Sequence, residues 1–379
     1  SALAMNIFLP SLPGMVAHFD TSYGLMQLSV ALYLAVNAAL QIVIGPLSDR
    51  WGRRPVVLWG IALFLIATLG CIIAPSVTVF LVFRMMQASI VVALVLSRAI
   101  VRDMVPQDRA ASMIGYVTMG MAVAPMIGPA FGGVLDEMFG WQANFWALFA
   151  LGAGLMWLCW RDLGETAPLS GRTLAQQFRD YPMLLTSYRF WGYAAAAGLS
   201  SGSFFAYLGG APFVGDRVFG LPPSLLGIYF GAPAMGYFLG NFASGRFSTR
   251  VGVNRMVLWG ALINAGGIGL NLALFYAQLG TPLSFFGLMT LMGLGNGMVI
   301  PNATAGALSV RPDLAGTASG LSGALMIGLG AALSALAGLL LTPGRGAFPL
   351  LWLMLATAVA AVVMIRLVMR RDRRLALAV

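Results

Sequence analysis

One arginine sits where a charge is costly. Arg84 falls inside the apolar stretch 77–98, and a guanidinium within a membrane span must face a wet cavity or a partner. Two readings follow: a functional cation inside a cavity, or an anchor whose head snorkels to the outer headgroups. A second polar feature has helical spacing. Tyr33, Asn37 and Gln41 recur at i, i+4, i+8, a stripe too regular to face lipid. It serves either hydrogen bonding between helices or the lining of a cavity. Tyr237 and Asn241 repeat this stripe 200 positions after Asn37 and Gln41. Phe204, Phe205 and Tyr207, with Met119 and Met126, would supply an adaptable apolar wall, although such residues also fill ordinary membrane cores.

Enzyme signals fail on context. Gly198-Leu199-Ser200-Ser201-Gly202 matches the G-x-S-x-G pattern but lies within an apolar stretch that offers no strand-to-helix elbow. His18 is the single histidine and falls in a predicted outer loop, poorly placed to partner a helical serine. Cys71 and Cys159 sit inside apolar stretches without metal or disulfide spacing and read as small core residues. The expectation is that the chain is not an enzyme and holds no metal or organic cofactor.

These side chains must be carried by membrane helices. At 59% hydrophobic and 9% charged, with mean hydropathy +0.87, the chain has too little polar surface for a soluble domain. Spans are predicted near 25–44, 56–74, 77–98, 110–133, 141–160, 190–213, 224–245, 256–277, 283–305, 314–340 and 347–369, each close to the roughly 20 residues that cross a bilayer. Breaks fall where an apolar helix must stop, as at Ala74-Pro75, Leu221-Pro222-Pro223 and Thr342-Pro343-Gly344. Residues 1–13 read as the outer end of a first helix, which would bring the count to twelve.

Charge placement orients the chain. All 22 basic residues are arginine. All but Arg84, Arg217 and Arg345 fall on one predicted side, which the positive-inside bias makes cytoplasmic, together with both termini. The net charge of +10 therefore reports orientation in a membrane, and a nucleic-acid partner is not expected. The polar stretch 161–189 is the natural boundary between halves, and its part from Thr173 to Leu185 is predicted to lie as a helix on the membrane surface. The expected organisation is 1–160, linker 161–189, 190–369 and a tail 370–379.

The two halves repeat in sequence. Gly45–Gly60 and Gly245–Gly260 align without a gap, sharing Gly45/Gly245, Ser48/Ser248, Arg50/Arg250, Gly52/Gly252, Val57/Val257, Leu58/Leu258, Trp59/Trp259 and Gly60/Gly260. The same offset pairs Met126-Ile127-Gly128 with Met326-Ile327-Gly328. A repeat in one orientation is the mark of a two-half transporter with its site between the repeats.

The motifs then narrow the family. Gly45, Leu47, Asp49, Arg50, Gly52 and Arg53 resemble the signature between helices two and three of the major facilitator superfamily, read here as a tight cytoplasmic turn. Arg84-Met85-Met86-Gln87 is similar to its helix-four element, with Ala88 in place of the usual glycine. The stretch Pro125, Gly128, Pro129, Gly132 and Gly133 is similar to the helix-five element of antiporters. Arg98–Asp103, with Pro301-Asn302-Ala303-Thr304, looks like Bcr/CflA-type drug exporters.

The resemblance implies an all-α major facilitator fold of twelve helices in two pseudo-symmetric halves, in a bacterial cytoplasmic membrane. It implies a conformational latch built on Gly45, Asp49, Arg50, Gly52, Arg53 and Asp103, one-sided because Thr249 replaces the acid in the second copy. It also places Arg84 in the cavity, where it would govern protonation of a helix-one acid. Asn6 stands where that acid is usual, and the 12 acidic residues all fall in loops or at helix ends. Either an acid lies upstream, about two turns before Asn6, or the chain is not proton-coupled in the usual way.

The expected function is export of small, largely neutral or amphiphilic antibiotics in exchange for protons, by a monomer working through alternating access. Asn6, Arg84 and the helix-two stripe would orient ligand. The alternatives are a carrier of one metabolite or organic anion, with Arg84 as the anion site, and a membrane receptor or enzyme.

Overall fold

A computed structural model describes residues 2–104, 127–166, 186–310 and 315–376. The chain divides into two compact units, Ser1–Gln176 with Pro222–Ile228, and Gln177–Leu221 with Tyr229–Val379. Among the described residues, regular structure is helical, and eight helices are long and apolar enough to cross a membrane. Large apolar side chains such as Trp59 (76% exposed) and Leu339 (72%) stand on their outer faces, as lipid-facing residues do.

In the first unit α1 (Ala2–Asn6) is followed by a 3-10 turn, Leu9–Ser11, and α2 (Leu12–His18). Then come α3 (Tyr23–Trp51), α4 (Arg53–Ile72), α5 (Val77–Met86), a 3-10 segment Gln87–Ile90, and α6 (Val91–Met104). Residues 127–139 form α7, and α8 spans Gln142–Asp162. Serine caps start two of these helices, Ser22 accepting from Leu25 N at 3.2 Å and Ser76 from Val79 N at 3.4 Å, which satisfies otherwise orphaned amides. Phe8, Phe80, Trp141 and Phe145 interlock through edge-to-face and tilted contacts, with ring centroids 5.6–6.0 Å apart. They tie the start of the chain to α5 and α8.

The second unit carries α9 (Tyr188–Phe213), α11 (Gly231–Val251), α12 (Val253–Tyr276), α13 (Pro282–Ser309), α14 (Ala315–Leu340) and α15 (Phe348–Ala376). The short α10 (Pro223–Tyr229) precedes α11, so the predicted span 224–245 is broken at Phe230. Gly236 and Gly240 of α11 lie against the α13 backbone, while Gly293 and Gly297 of α13 lie against that of α11; a Cβ at any of the four would collide. Such spacing of small residues allows close helix approach where lipid offers no hydrophobic drive between helices.

One sequence expectation is corrected. Gly45 through Trp51 is not a turn: α3 continues to Trp51, and the chain reverses at Gly52 alone, whose φ of 94° favours glycine. Gly252 repeats the device at φ 89°. The apolar run stops before residue 45, but good hydrogen-bonding geometry carries the helix beyond it. The predicted surface helix 173–185 lies outside the described residues.

Candidate functional site

Arg84 lies on α5 and is fully buried in the first unit. Its Nη1 donates to Gln87 Oε1 at 2.7 Å, Nη2 to the Ala4 carbonyl at 2.9 Å and Nε to the Ser29 carbonyl at 3.3 Å. The guanidinium plane is held between two rings, its Cζ 4.3 Å from the Phe8 centroid and 4.2 Å from that of Tyr33. Rings on both faces and carbonyl oxygens around the edge are what a planar, weakly hydrated cation accepts. Burial removes the snorkelling reading. Gln87 is fixed in turn, donating Nε2 to Thr68 Oγ1 at 2.7 Å, and Thr68 donates to the Phe64 carbonyl at 2.7 Å. Thus α1, α3, α4 and α5 all meet at one charge.

Asn6, also fully buried, donates to the Ala2 carbonyl at 2.8 Å, while its Oδ1 and Ser29 Oγ are buried acceptors without a partner among the described residues. Such orphans call for a ligand or water. On α7, Gly128 faces Leu3 and Asn6, and Gly132 lies directly on the Ile7 carbonyl, so a Cβ there has no room. Gly133 and Pro129 of α7 meet Pro223 and Gly227 in the same unit with similar closeness. The glycine face is therefore a bed for the first residues of the chain and for α10. Pro125, Met119 and Met126 lie outside the described residues.

The α3 stripe bonds along its own helix. Gln41 Nε2 donates to Asn37 Oδ1 at 2.7 Å, and Tyr33 gives its ring to Arg84. In the second unit Asn241 donates to the Tyr237 carbonyl at 2.8 Å, both residues half-buried beside Gly297. Phe204 is half-buried. Tyr207 is enclosed, its ring 5.3 Å from that of Phe230 and 6.4 Å from that of Phe286. Tyr207 thus belongs to its unit's aromatic core.

Of the predicted latch, Gly45 and Asp49 lie on α3 and Asp103 on α6, with both carboxylates outside the described residues. Arg50 is exposed, whereas Arg53 is buried with its guanidinium on Ser48 Oγ. The partner that sequence reasoning missed is Glu165. It accepts from Arg53 N at 2.8 Å and Arg54 N at 3.3 Å, closing the amino end of α4 beneath Gly52, and Arg54 Nη2 reaches the Trp160 carbonyl at 3.0 Å. A carboxylate suits a helix amino terminus. Its only signal in the sequence is an acid just past the end of α8.

Two further clusters escaped the sequence. Asn264 Nδ2 reaches Asn296 Oδ1 at 3.2 Å, Ser203 Oγ at 3.3 Å and Ser200 Oγ at 3.4 Å, and Ser200 donates to Asn296 at 2.5 Å. This neutral knot joins α9, α12 and α13 and absorbs Ser200 of the false nucleophile motif. In the first unit, Ser11 accepts from Asn144 at 3.0 Å and bonds the Asp136 carboxylate. Burial pushes the Asp136 carboxyl above its usual range; the Ser11 bond opposes this and the neighbouring Glu137 adds to it.

Eight long apolar helices among the described residues, with a buried cation held by uncharged oxygens, mark a multi-pass membrane protein. The chain belongs to the Major Facilitator Superfamily, whose description matches residues 1–335 and 216–378. It is 32% identical over 347 residues to the uncharacterized MFS-type transporter YdgK of Bacillus subtilis, covering 89% of this chain and 85% of that one. It is 30% identical over 380 residues to multidrug resistance protein D of Escherichia coli, covering 94% and 92%. Its fold is that of the D-xylose-proton symporter, with TM-score 0.76 at 16% identity over 96% and 94% of the chains. The all-α major facilitator fold expected from the motifs is the fold found.

Proposed function

We propose that this chain is an exporter of small, largely neutral or amphiphilic antibiotics that works by alternating access and exchanges drug for protons. The reading rests on Arg84. Its donors are met by neutral oxygens and its faces by rings. A cation so enclosed is a poor anchor for an anionic metabolite, and the observation favours neutral cargo. The kinship with multidrug resistance protein D supports drug export. Asn6 Oδ1 and Ser29 Oγ, buried and without a partner among the described residues, would receive a ligand hydroxyl or amide, or the water that precedes it.

The arginine-rich ends of both units would face the cytoplasm, as the positive-inside bias requires, with the chain acting as a monomer in the inner membrane of a bacterium. Protons and drug are the partners, the proton gradient is the energy source, and no cofactor is needed. Asp49, Arg53 and Asp103 would form the latch that biases the outward-facing state. A few kcal/mol is enough to make either state dominant.

The test is resistance profiling in a pump-deficient host, followed by drug-driven proton release from purified protein in vesicles. Raised resistance to several unrelated neutral drugs, with proton release on drug addition, is the expected result. Uptake of one metabolite without any change in resistance would overturn the proposal.

A further inference from the structure

Among the described residues three carboxylates are half-buried, and two of them are paired. Asp216 lies 3.1 Å from Arg217 Nε and Asp372 lies 2.9 Å from Arg189 Nε. The third, Asp136 near the end of α7, has no ion pair among the described residues. Its neighbours are the Ser11 hydroxyl, which bonds it, and the like charge of Glu137. A partly desolvated carboxylate without a counter-charge is the kind that takes up a proton most readily.

The polar groups around it are short of a hydrogen. Asn144, fully buried on α8, donates Nδ2 to Ser11 Oγ at 3.0 Å, but its Oδ1 has no partner among the described residues. That oxygen faces α7 one turn before Asp136, 3.0 Å from where a Cβ on Gly132 would stand. A buried acceptor left open calls for a donor. A neutral Asp136 could donate to Ser11 Oγ, which frees the Ser11 hydrogen for the Asn144 amide oxygen. No other charge competes from the packed elements. Glu137 on α7 is exposed, while the turn Leu9–Ser11, the start of α8 and residues 223–228 of α10, which meet Gly133, are uncharged. From α2 comes His18, its ring 5.3 Å from that of Trp141, and the exposed Asp20 follows it.

We propose that Asp136 is the group that binds the exchanged proton, with Ser11 and Asn144 as the partners that pass its charge state to the first residues of the chain. This rests on the reading of the chain as a proton-exchanging exporter. In the step itself a hydronium ion gives its proton to a carboxylate oxygen and leaves as water. One short segment links the site to the buried cation, because the Ala4 carbonyl accepts from Arg84 while Ser11 bonds Asp136. The other end of α8 lies at Trp160, whose carbonyl takes Arg54. Asp136 is thus a helix length from the arginine-rich end, on the side that the positive-inside bias would make external.

Infrared difference spectra of the drug-free full chain in detergent, taken from about pH 4 to about pH 8, report protonated carboxyls directly. A carboxyl band that persists above the ordinary carboxylate range is expected in the wild type and should be lost in Asp136→Asn. Ser11→Ala should move its midpoint to higher pH, since a donor to the carboxylate is gone, and Glu137→Gln to lower pH, since a like charge is gone. In vesicles, with a drug to which the wild type gives resistance, Asp136→Asn should lose drug-driven proton release and Glu137→Gln should keep it. If the band titrates alike in wild type and Asp136→Asn, or if Asp136→Asn releases protons on drug addition as the wild type does, the proposal is overturned. If the wild type resists no drug yet shows the Asp136 band, the export reading fails and the proton site stands.

Discussion

The first unit gathers its helices around a charge, and the second gathers its own around neutral amides and hydroxyls. Arg84 draws on carbonyls of α1 and α3 and on Gln87, whereas Asn264, Asn296, Ser200 and Ser203 satisfy one another. Both arrangements solve one problem, since a polar group inside an apolar bundle is costly without partners. They differ in what they can respond to. A fixed cation senses any proton or dipole that comes near, while a neutral knot pins helices and senses little. Duplication therefore preserved the helical frame while one unit came to hold a buried cation and the other a neutral knot, the contrast on which the proposed coupling would rest.

The sharpest way to break this comparison is Arg84→Ala. It leaves Gln87 Oε1 and two carbonyls without their donor and removes the cation, and should reduce resistance to the level of an empty vector. Arg84→Lys should retain part of it, because an ammonium can meet some of the oxygens but cannot fill the planar space between Phe8 and Tyr33. Drug-driven proton release should follow the same ranking. If Arg84→Ala exchanged drug for protons as the wild type does, that contrast would carry no coupling.

A second contrast uses one glycine from each unit. Gly132→Ala forces a methyl into the Ile7 carbonyl, and overpacking of this kind costs about 1–3 kcal/mol. At Gly328, the repeat partner of Gly128 in the second unit, an added Cβ would meet nothing within 4 Å. Gly328→Ala should therefore be neutral, or stabilising by up to about 1 kcal/mol through helix propensity. Thermal unfolding of the two variants should move in different directions; equal losses would show that the glycine bed of α7 is not special.

Asn264→Ala tests the neutral knot. Leaving Ser200, Ser203 and Asn296 short of a donor should cost about 1–3 kcal/mol in stability, with resistance retained wherever the protein is still folded. Loss of transport at normal folded yield would give the second unit a chemical role.

The smallest effect concerns pH. A carboxyl whose folded value is raised binds more protons folded than unfolded. Its contribution to stability is therefore full at low pH and declines as pH rises from the ordinary carboxylate range through the raised value. Asp136→Asn should flatten the fall in Tm expected from about pH 4 upward, and an unchanged slope would assign any such fall to other groups.

Much of this was legible along the chain. Apolar runs marked the spans, Arg84 stood out because charge is rare in lipid, and the unbroken register from Gly45 to Gly60 exposed the duplication. The stripe of Tyr33, Asn37 and Gln41 was visible as a pattern, but its bonding was not, because a side-chain amide on a helix can turn toward its own neighbour or toward another helix. Glu165 was invisible as a cap, since its amide partners are more than 100 residues away.

The sequence by itself determined the membrane class, the helical elements, the repeat and the presence of an arginine inside an apolar run, because these follow from local hydropathy, spacing and identity. Only the tertiary structure decided what surrounds that cation, which glycines bear on backbone, and how Glu165 comes to close the helix that follows Gly52. Those outcomes depend on which distant segments come within hydrogen-bond or van der Waals reach, and such short-range forces act only after the helices have packed.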